Sequence, residues 1–245
     1  MFSKDDELQI KIRGSDLSTV KTQIENYKNE FPYLRIIEPA TADNGIIILD
    51  NKDVEESCER FDRKVSKGLK CIKFVPASGA ATRMFKELYE AIDDCEPEDE
   101  IAFVKHAAAR NFLVNRHKFA FYEDLKKFID KSGDSNSCIA WIENLLFENG
   151  LNYGSLPKGV IKFHKYPDGS RTPFEEHLAE GAGYIRDQKN IVSVHFTVSP
   201  AHMKTFNDFF NRVKPYYEQK FQFKFDISFS MQKPKTDVSA VGANN

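Results

Sequence analysis

The chain has 245 residues, a formal charge of −2 and 41% hydrophobic residues, including 21 phenylalanines. That suffices for one large domain, or one domain with an elaborate insert. It excludes a general electrostatic pull toward nucleic acid or an anionic membrane, and no segment approaches the length of an uninterrupted apolar span. The N-terminus, Met-Phe-Ser-Lys-Asp-Asp-Glu, has no apolar signal core. Cys58, Cys71, Cys95 and Cys138 are scattered without a Cys-x-x-Cys pair. Four free thiols in a reducing cytoplasm are therefore expected, not a zinc site or a disulfide framework.

Residues 4–30 read as two helices split by Gly14, with Ser15 placed to cap the second and Phe31-Pro32-Tyr33 to stop it. Residues 34–37 and 45–49 look extended, the latter as a strand between Asn44-Gly45 and Asp50. A helix over 52–66 ends before Gly68. Residues 71–76, with Ile72, Phe74 and Val75, form a short apolar run expected to be a buried strand. The small residues 77–81 follow, and Thr82-Arg83-Met84-Phe85 opens a helix with Phe85, Leu88 and Ile92 on one face. A strand leading through such a loop into a helix suits an anion, with backbone N–H groups outward and Arg83 as a fixed charge. The same residues also suit an ordinary βα turn.

Glu87 to Glu100 is acidic throughout, which marks a solvated helix end and loop rather than a metal site. Residues 101–131 are helical and basic, with Phe112, Phe119, Phe121, Tyr122 and Phe128 interleaved. Their spacing fits a helix core face better than a nucleic-acid surface. With a further helix over 138–147, residues 94–153 read as an all-helical insert in an alternating chain. Residues 160–163 are expected to be a strand. Thr172-Pro173-Phe174-Glu175 is a helix start with a cap, a proline at the first position and a capping box. Phe174, Leu178, Ala182 and Ile185 form its buried face. A strand over 191–197, a helix capped at Ser199-Pro200, and a strand alternating from Phe221 to Met231 complete the chain. Strands at 71–76, 160–163 and 191–197, each followed by a helix, imply a mainly parallel sheet with ligands beyond the carboxyl ends of its strands. His164, His177, His195 and His202 lack ligand spacing and read as structural or surface residues. Ser78 lacks the Gly-x-Ser-x-Gly flanks of an acyl-transfer nucleophile.

A second loop, Ser155-Leu156-Pro157-Lys158-Gly159, opens a basic stretch with Lys162, Lys165 and Arg171. A rigidly presented ammonium beside an anion-binding loop is what a polyphosphate needs. Pro76-Ala-Ser-Gly-Ala-Ala-Thr-Arg-Met84 resembles the Gly-rich, Thr-Arg loop of sugar nucleotidyltransferases. Leu156-Pro-Lys-Gly-Val-Ile-Lys-Phe163 and Arg171-Thr-Pro-Phe-Glu-Glu-His-Leu178 look like their Pro-Lys motif and following helix. Phe229-Ser-Met-Gln-Lys-Pro234 is similar to the Gln-containing strand end of UDP-sugar pyrophosphorylases. Over essentially its whole length, the chain also resembles the N-terminal part of an uncharacterised bacterial family of unknown function.

The resemblance implies an α/β fold with a Rossmann-like, mainly parallel sheet of the glycosyltransferase-A nucleotidyltransferase type. A helical N-terminal segment (1–66) would precede a core (67–245) carrying the 94–153 insert. It implies a reaction in which a sugar 1-phosphate attacks the α-phosphorus of a nucleoside triphosphate, UTP favoured, and pyrophosphate leaves. Ser78, Gly79, Ala80, Ala81 and Thr82 would hold phosphates, Arg83 the leaving pyrophosphate and Lys158 the α-phosphate, while Gln232 would read the base. Mg²⁺ would bridge the phosphates, its acidic ligand expected downstream of Gln232, past the end of a truncated chain. The alternative is a non-catalytic nucleotide- or phosphosugar-binding module on the same fold. No nucleic-acid or membrane partner is expected.

Overall fold

A computed structural model describes residues 2–31, 33–42, 44–95 and 99–233. The chain divides into two compact units, one comprising Gly68–Met231 and the other the residues before Gly68 with those after Met231.

The first unit carries α1 (Lys4–Ile12), α2 (Leu17–Asn29) and α3 (Asn51–Ser66). Each starts where a side chain satisfies an otherwise orphaned backbone N–H. Ser3 and Asp6 close a capping box on α1, and Asp50 with Asp53 closes one on α3. The cap of α2 is Asp16, not Ser15, because the Asp16 carboxylate accepts from the Thr19 N–H at 2.9 Å. The chain reverses before it at Gly14, whose φ of 77° favours glycine. The strand expected at 45–49 finds no partner strand among the described residues. Thr41 instead bridges locally to Asn44 and Gly45, and Ile47 remains 85% exposed.

In the second unit β1 (Ile72–Pro76), β4 (Ile191–Val198) and β5 (Lys224–Met231) form a parallel sheet in the order β1-β4-β5. Strict alternation in β4 buries Val192, Val194, Phe196 and Val198 on one face. α9 (Pro173–Tyr184) and α10 (Met203–Phe221) cover that face with Phe174, Leu178, Phe206 and Phe210. Phe174 packs edge-on against Phe196 and Phe206, each at 4.8 Å between ring centres. The Thr172 cap, Pro173 and the Glu175 capping box are all present on α9. The opposite face is open, so β1 is not the buried strand its apolar run suggests. Only Val75 is buried, while Ile72 and Phe74 are 58% and 61% exposed. β1 lies at the sheet's edge, and its alternate residues point away from α9 and α10.

Between β1 and α9, the chain builds a second core from α4 (Lys86–Asp93), α5 (Glu100–Lys105), α6 (Ala107–Asn115), α7 (Tyr122–Ser132) and α8 (Cys138–Leu146). Phe103, Leu125, Ile129, Ile142 and Leu145 are fully buried there. Phe112 on α6 and Phe121 in the turn before α7 lie in this core, whereas Phe119 between them is exposed. The acidic stretch is partly structural: Asp99 caps α5, and the Glu100 carboxylate accepts from the Ser137 hydroxyl and the Cys138 N–H.

The strand expected at 160–163 does not form. Lys158–Val160 is a 3₁₀ turn, followed by an antiparallel hairpin of β2 (His164–Tyr166) and β3 (Gly169–Arg171). Gly159 explains the turn: a Cβ there would meet the Phe174 ring at 2.6 Å, so the chain is tucked under α9 instead of joining the sheet. The protein is thus a mixed α/β protein, with 55% of the described residues helical and a small three-stranded parallel sheet. No helix among the described residues is long and apolar enough to cross a membrane, and all four cysteines are free thiols.

The two faces of the sheet predict opposite mutational costs. Phe196→Ala should cost about 3–5 kcal/mol in chemical denaturation, whereas Phe74→Ala should stay within about 0.5 kcal/mol.

Candidate functional site

The sheet ladder continues one residue past β1, where the Ala77 N–H donates to the Thr197 carbonyl at 2.7 Å. The chain then leaves the sheet and meets the segment 155–160. Ala80 and Pro157 form an antiparallel bridge. The Lys158 N–H donates to the Gly79 carbonyl at 3.1 Å, and the Ala81 N–H donates to the Leu156 carbonyl at 3.3 Å. The structure therefore joins the small-residue loop and the Pro-Lys segment through their backbones, at the carboxyl end of β1. Pro157 is buried with a φ of −68°, which presets the direction in which Lys158 leaves.

The bridge corrects two expectations. The Ala81 N–H is committed to Leu156 and is not available to a phosphate. Thr82 does not open an α-helix: Thr82–Phe85 is a 3₁₀ turn, pinned by the buried Ala81 and Phe85, and α4 begins at Lys86. Arg83 is exposed on that turn, and Lys158 is exposed at the start of the 3₁₀ turn that follows Pro157. Among the described residues, neither side chain has an ion-pair or hydrogen-bond partner. Other cations of the second loop are spent. Lys162 pairs with Asp124, Lys165 donates to the His117 carbonyl, and Arg171 pairs with Asp168 and Glu176 while stacked over Tyr166.

The glycines of the two loops differ in kind. Gly159 is demanded by packing. Gly79 is demanded neither by a positive φ nor by crowding, since the nearest atom to a Cβ there would be Cδ of Lys158 at 4.0 Å. The missing side chain leaves open space above the loop, along the lysine stem. Gln232 follows Met231 directly and belongs to the other unit, whereas the loop and Lys158 belong to the 68–231 unit.

His195, read from sequence as a structural or surface residue, lies at the centre of a polar cluster. Its Nδ1 lies 2.8 Å from Ser228 Oγ and its Nε2 2.9 Å from Ser230 Oγ, which in turn lies 3.1 Å from Thr197 Oγ1. Phe74 stacks on the imidazole at 5.4 Å, with planes 12° apart. The period-two pattern marks the exposed residues of each strand, but only the register aligns 74, 195 and 228.

Residues 77–83 and 155–160 contain no carboxylate, and the described residues hold no group of three or more His, Cys, Asp or Glu that could bind a metal. The loop pair does not fit Mg²⁺ as a ligand set. A concavity of about 550 Å³ lined by Lys189, Asn190, Pro215, Glu218 and Lys224 lies at the opposite, amino-terminal ends of β4 and β5.

Fold and site together define a mixed α/β protein with a cationic loop pair at the carboxyl end of a parallel strand. The chain belongs to the family described as "Domain of unknown function (DUF4301)", whose pattern matches residues 3–245. No curated protein and no solved structure matches it significantly.

Gly159→Ala should destabilise the protein by about 1–3 kcal/mol, because the Phe174 ring must move. Gly79→Ala should leave stability within about 0.5 kcal/mol; thermal melts of both variants check the contrast. The Lys162–Asp124 pair ties the segment to α7. Burial pushes the Asp124 carboxyl up, but hydrogen bonds from Lys162 and Lys127 outweigh it and hold the carboxyl below its ordinary value. A lowered carboxylate stabilises the fold above its unfolded pKa, about 3.9, and that contribution is lost as pH falls through the folded value. Asp124→Asn should therefore flatten the acid limb of stability against pH, measured by denaturation between pH 2 and pH 7, roughly the range the linkage spans.

Proposed function

We propose that the loop at 77–83 and Lys158 bind the phosphates of a nucleoside triphosphate, and that the protein is a sugar-phosphate nucleotidyltransferase. The observation that carries this reading is the pairing of two unpartnered cations, Arg83 and Lys158, across a backbone bridge beside a glycine that packing does not require. Surface lysines are ordinarily free, so the free charges alone argue little. Their argument comes from presentation: Pro157, Gly159 and Lys162 hold one segment, while the Ala77 ladder bond and buried Ala81 hold the other. A backbone fixed before the ligand arrives lowers the cost of organising the site.

In this reading Ser78, Gly79 and Ala80 offer backbone N–H groups and Thr82 its hydroxyl. The Ala81 N–H stays with Leu156. A sugar 1-phosphate oxygen attacks the α-phosphorus. The new O–P bond forms as the bond to the β-phosphate oxygen breaks, and pyrophosphate leaves. Lys158 neutralises the α-phosphate oxygens and Arg83 the pyrophosphate. No step is assigned to Mg²⁺. A second reading, binding without catalysis, draws on the committed Ala81 N–H and the carboxylate-free loops.

Thermal shift of the whole chain with UTP, other nucleoside triphosphates and sugar 1-phosphates tests both. A triphosphate at a hundredfold excess over its Kd should add about 2.7 kcal/mol of stability. Arg83→Ala and Lys158→Ala should each weaken binding about tenfold or more. Pyrophosphate exchange then separates the enzyme from the binding module. No shift with any nucleotide would contradict both readings.

A further inference from the structure

We infer that the open face of the sheet at Phe74, His195, Ser228 and Ser230 receives the nucleobase of the nucleotide whose phosphates occupy the loop at 77–83. The inference rests on the phosphate-binding reading above and adds the recognition of the nucleoside. Parallel register sets Phe74, His195 and Ser228 in one row across three strands, with Thr197 and Ser230 in the next row toward the carboxyl ends. All point away from the face covered by α9 and α10.

Phe74 keeps 61% of its surface exposed, although its orientation is set by stacking on His195. The imidazole is in turn held at both ring nitrogens by Ser228 and Ser230. Both ring nitrogens thus have a hydroxyl partner, and a hydroxyl can either donate or accept. Each hydroxyl retains further hydrogen-bonding capacity that the imidazole does not use. The result is a pre-oriented aromatic plane bordered by groups able to meet the donor and acceptor edges of a flat heterocycle. Aromatic stacking of this kind tolerates any base, so the platform recognises a nucleobase without selecting among the four.

Position supports the pairing with the loop. Ala77 is three residues beyond Phe74 on an extended strand, so platform and loop are separated by about 10 Å at roughly 3.3 Å per residue. That is the scale that separates a base from its own phosphate chain. A lone exposed aromatic residue needs no explanation by itself. Its ordered stack, the hydroxyl border and this spacing together distinguish it.

The test compares UTP, tripolyphosphate and free uridine on the whole chain. Calorimetry should show wild-type protein binding UTP at least about tenfold tighter than tripolyphosphate, the scale of one base stack. Phe74→Ala and Phe74→Leu should erase that difference without weakening tripolyphosphate, and Phe74→Trp should keep it. Saturation-transfer NMR should detect uridine on wild type and on Arg83→Ala, but not on Phe74→Ala. Unchanged melting temperatures keep these variants interpretable. Equal affinity for UTP and tripolyphosphate, or uridine signals that survive Phe74→Ala, would overturn the base site while leaving the phosphate site standing. Uridine binding without tripolyphosphate binding would support the platform and remove the phosphate reading. Displacement of uridine by a methyl glycoside would overturn the base assignment in favour of a sugar.

Discussion

The bridge between Ala80 and Pro157 is the contact on which the site depends. It consists of two backbone hydrogen bonds, Lys158 N–H to the Gly79 carbonyl and Ala81 N–H to the Leu156 carbonyl. Each is worth only about 1 kcal/mol net, so the bridge cannot hold two distant segments together by itself. It sits where stronger constraints have already brought the chain. The helical core from α4 to α8 returns the chain near its departure point, Tyr153 is buried in that core, and Phe174 closes over Gly159. The hydrogen bonds then set the register between the segments, which decides where Lys158 stands relative to the loop.

The two halves of the 68–231 unit divide the work of holding this register. The helical core fixes 153–162 from one side through Tyr153, Ile161 and the Lys162–Asp124 pair. The sheet core fixes the loop from the other through Val75 and the Ala77 ladder bond. Burial raises the Tyr153 hydroxyl to about 12, consistent with a side chain kept neutral among apolar neighbours. Neither core needs Gly79, Arg83 or Lys158 for its own packing. Such residues are free to serve a ligand, which separates them from Gly159, Lys162 and Arg171.

Much of this was legible in the sequence because local rules governed it. The Thr172 cap, the strand over 191–197 and the amphipathic helices of the insert all follow from residue type and spacing. The loop at 77–83 and Lys158 were singled out from residue type, and the structure brings them to one bridge. What failed depended on tertiary contacts. Val160-Ile161-Lys162-Phe163 has the composition of a strand, yet Phe174 leaves room only for a turn at Gly159. Ile72, Phe74 and Val75 look like one buried run, but an edge position with one covered face buries only Val75. The cluster around His195 was invisible because residues 74, 195 and 228 become neighbours only through strand register. The Rossmann-like glycosyltransferase-A arrangement implied by resemblance is a finer statement than three parallel strands support.

The central claim is that the bridged loop pair is a phosphate site, and backbone amide shifts test it most directly. On titration with UTP, the amide resonances of Ser78, Gly79 and Ala80 should move in concert with Arg83 and the Lys158 side chain. The Ala81 amide, held by the Leu156 carbonyl, should change least within the loop. Perturbations confined instead to the concavity of Lys189, Glu218 and Lys224, with the loop unmoved, would contradict the account.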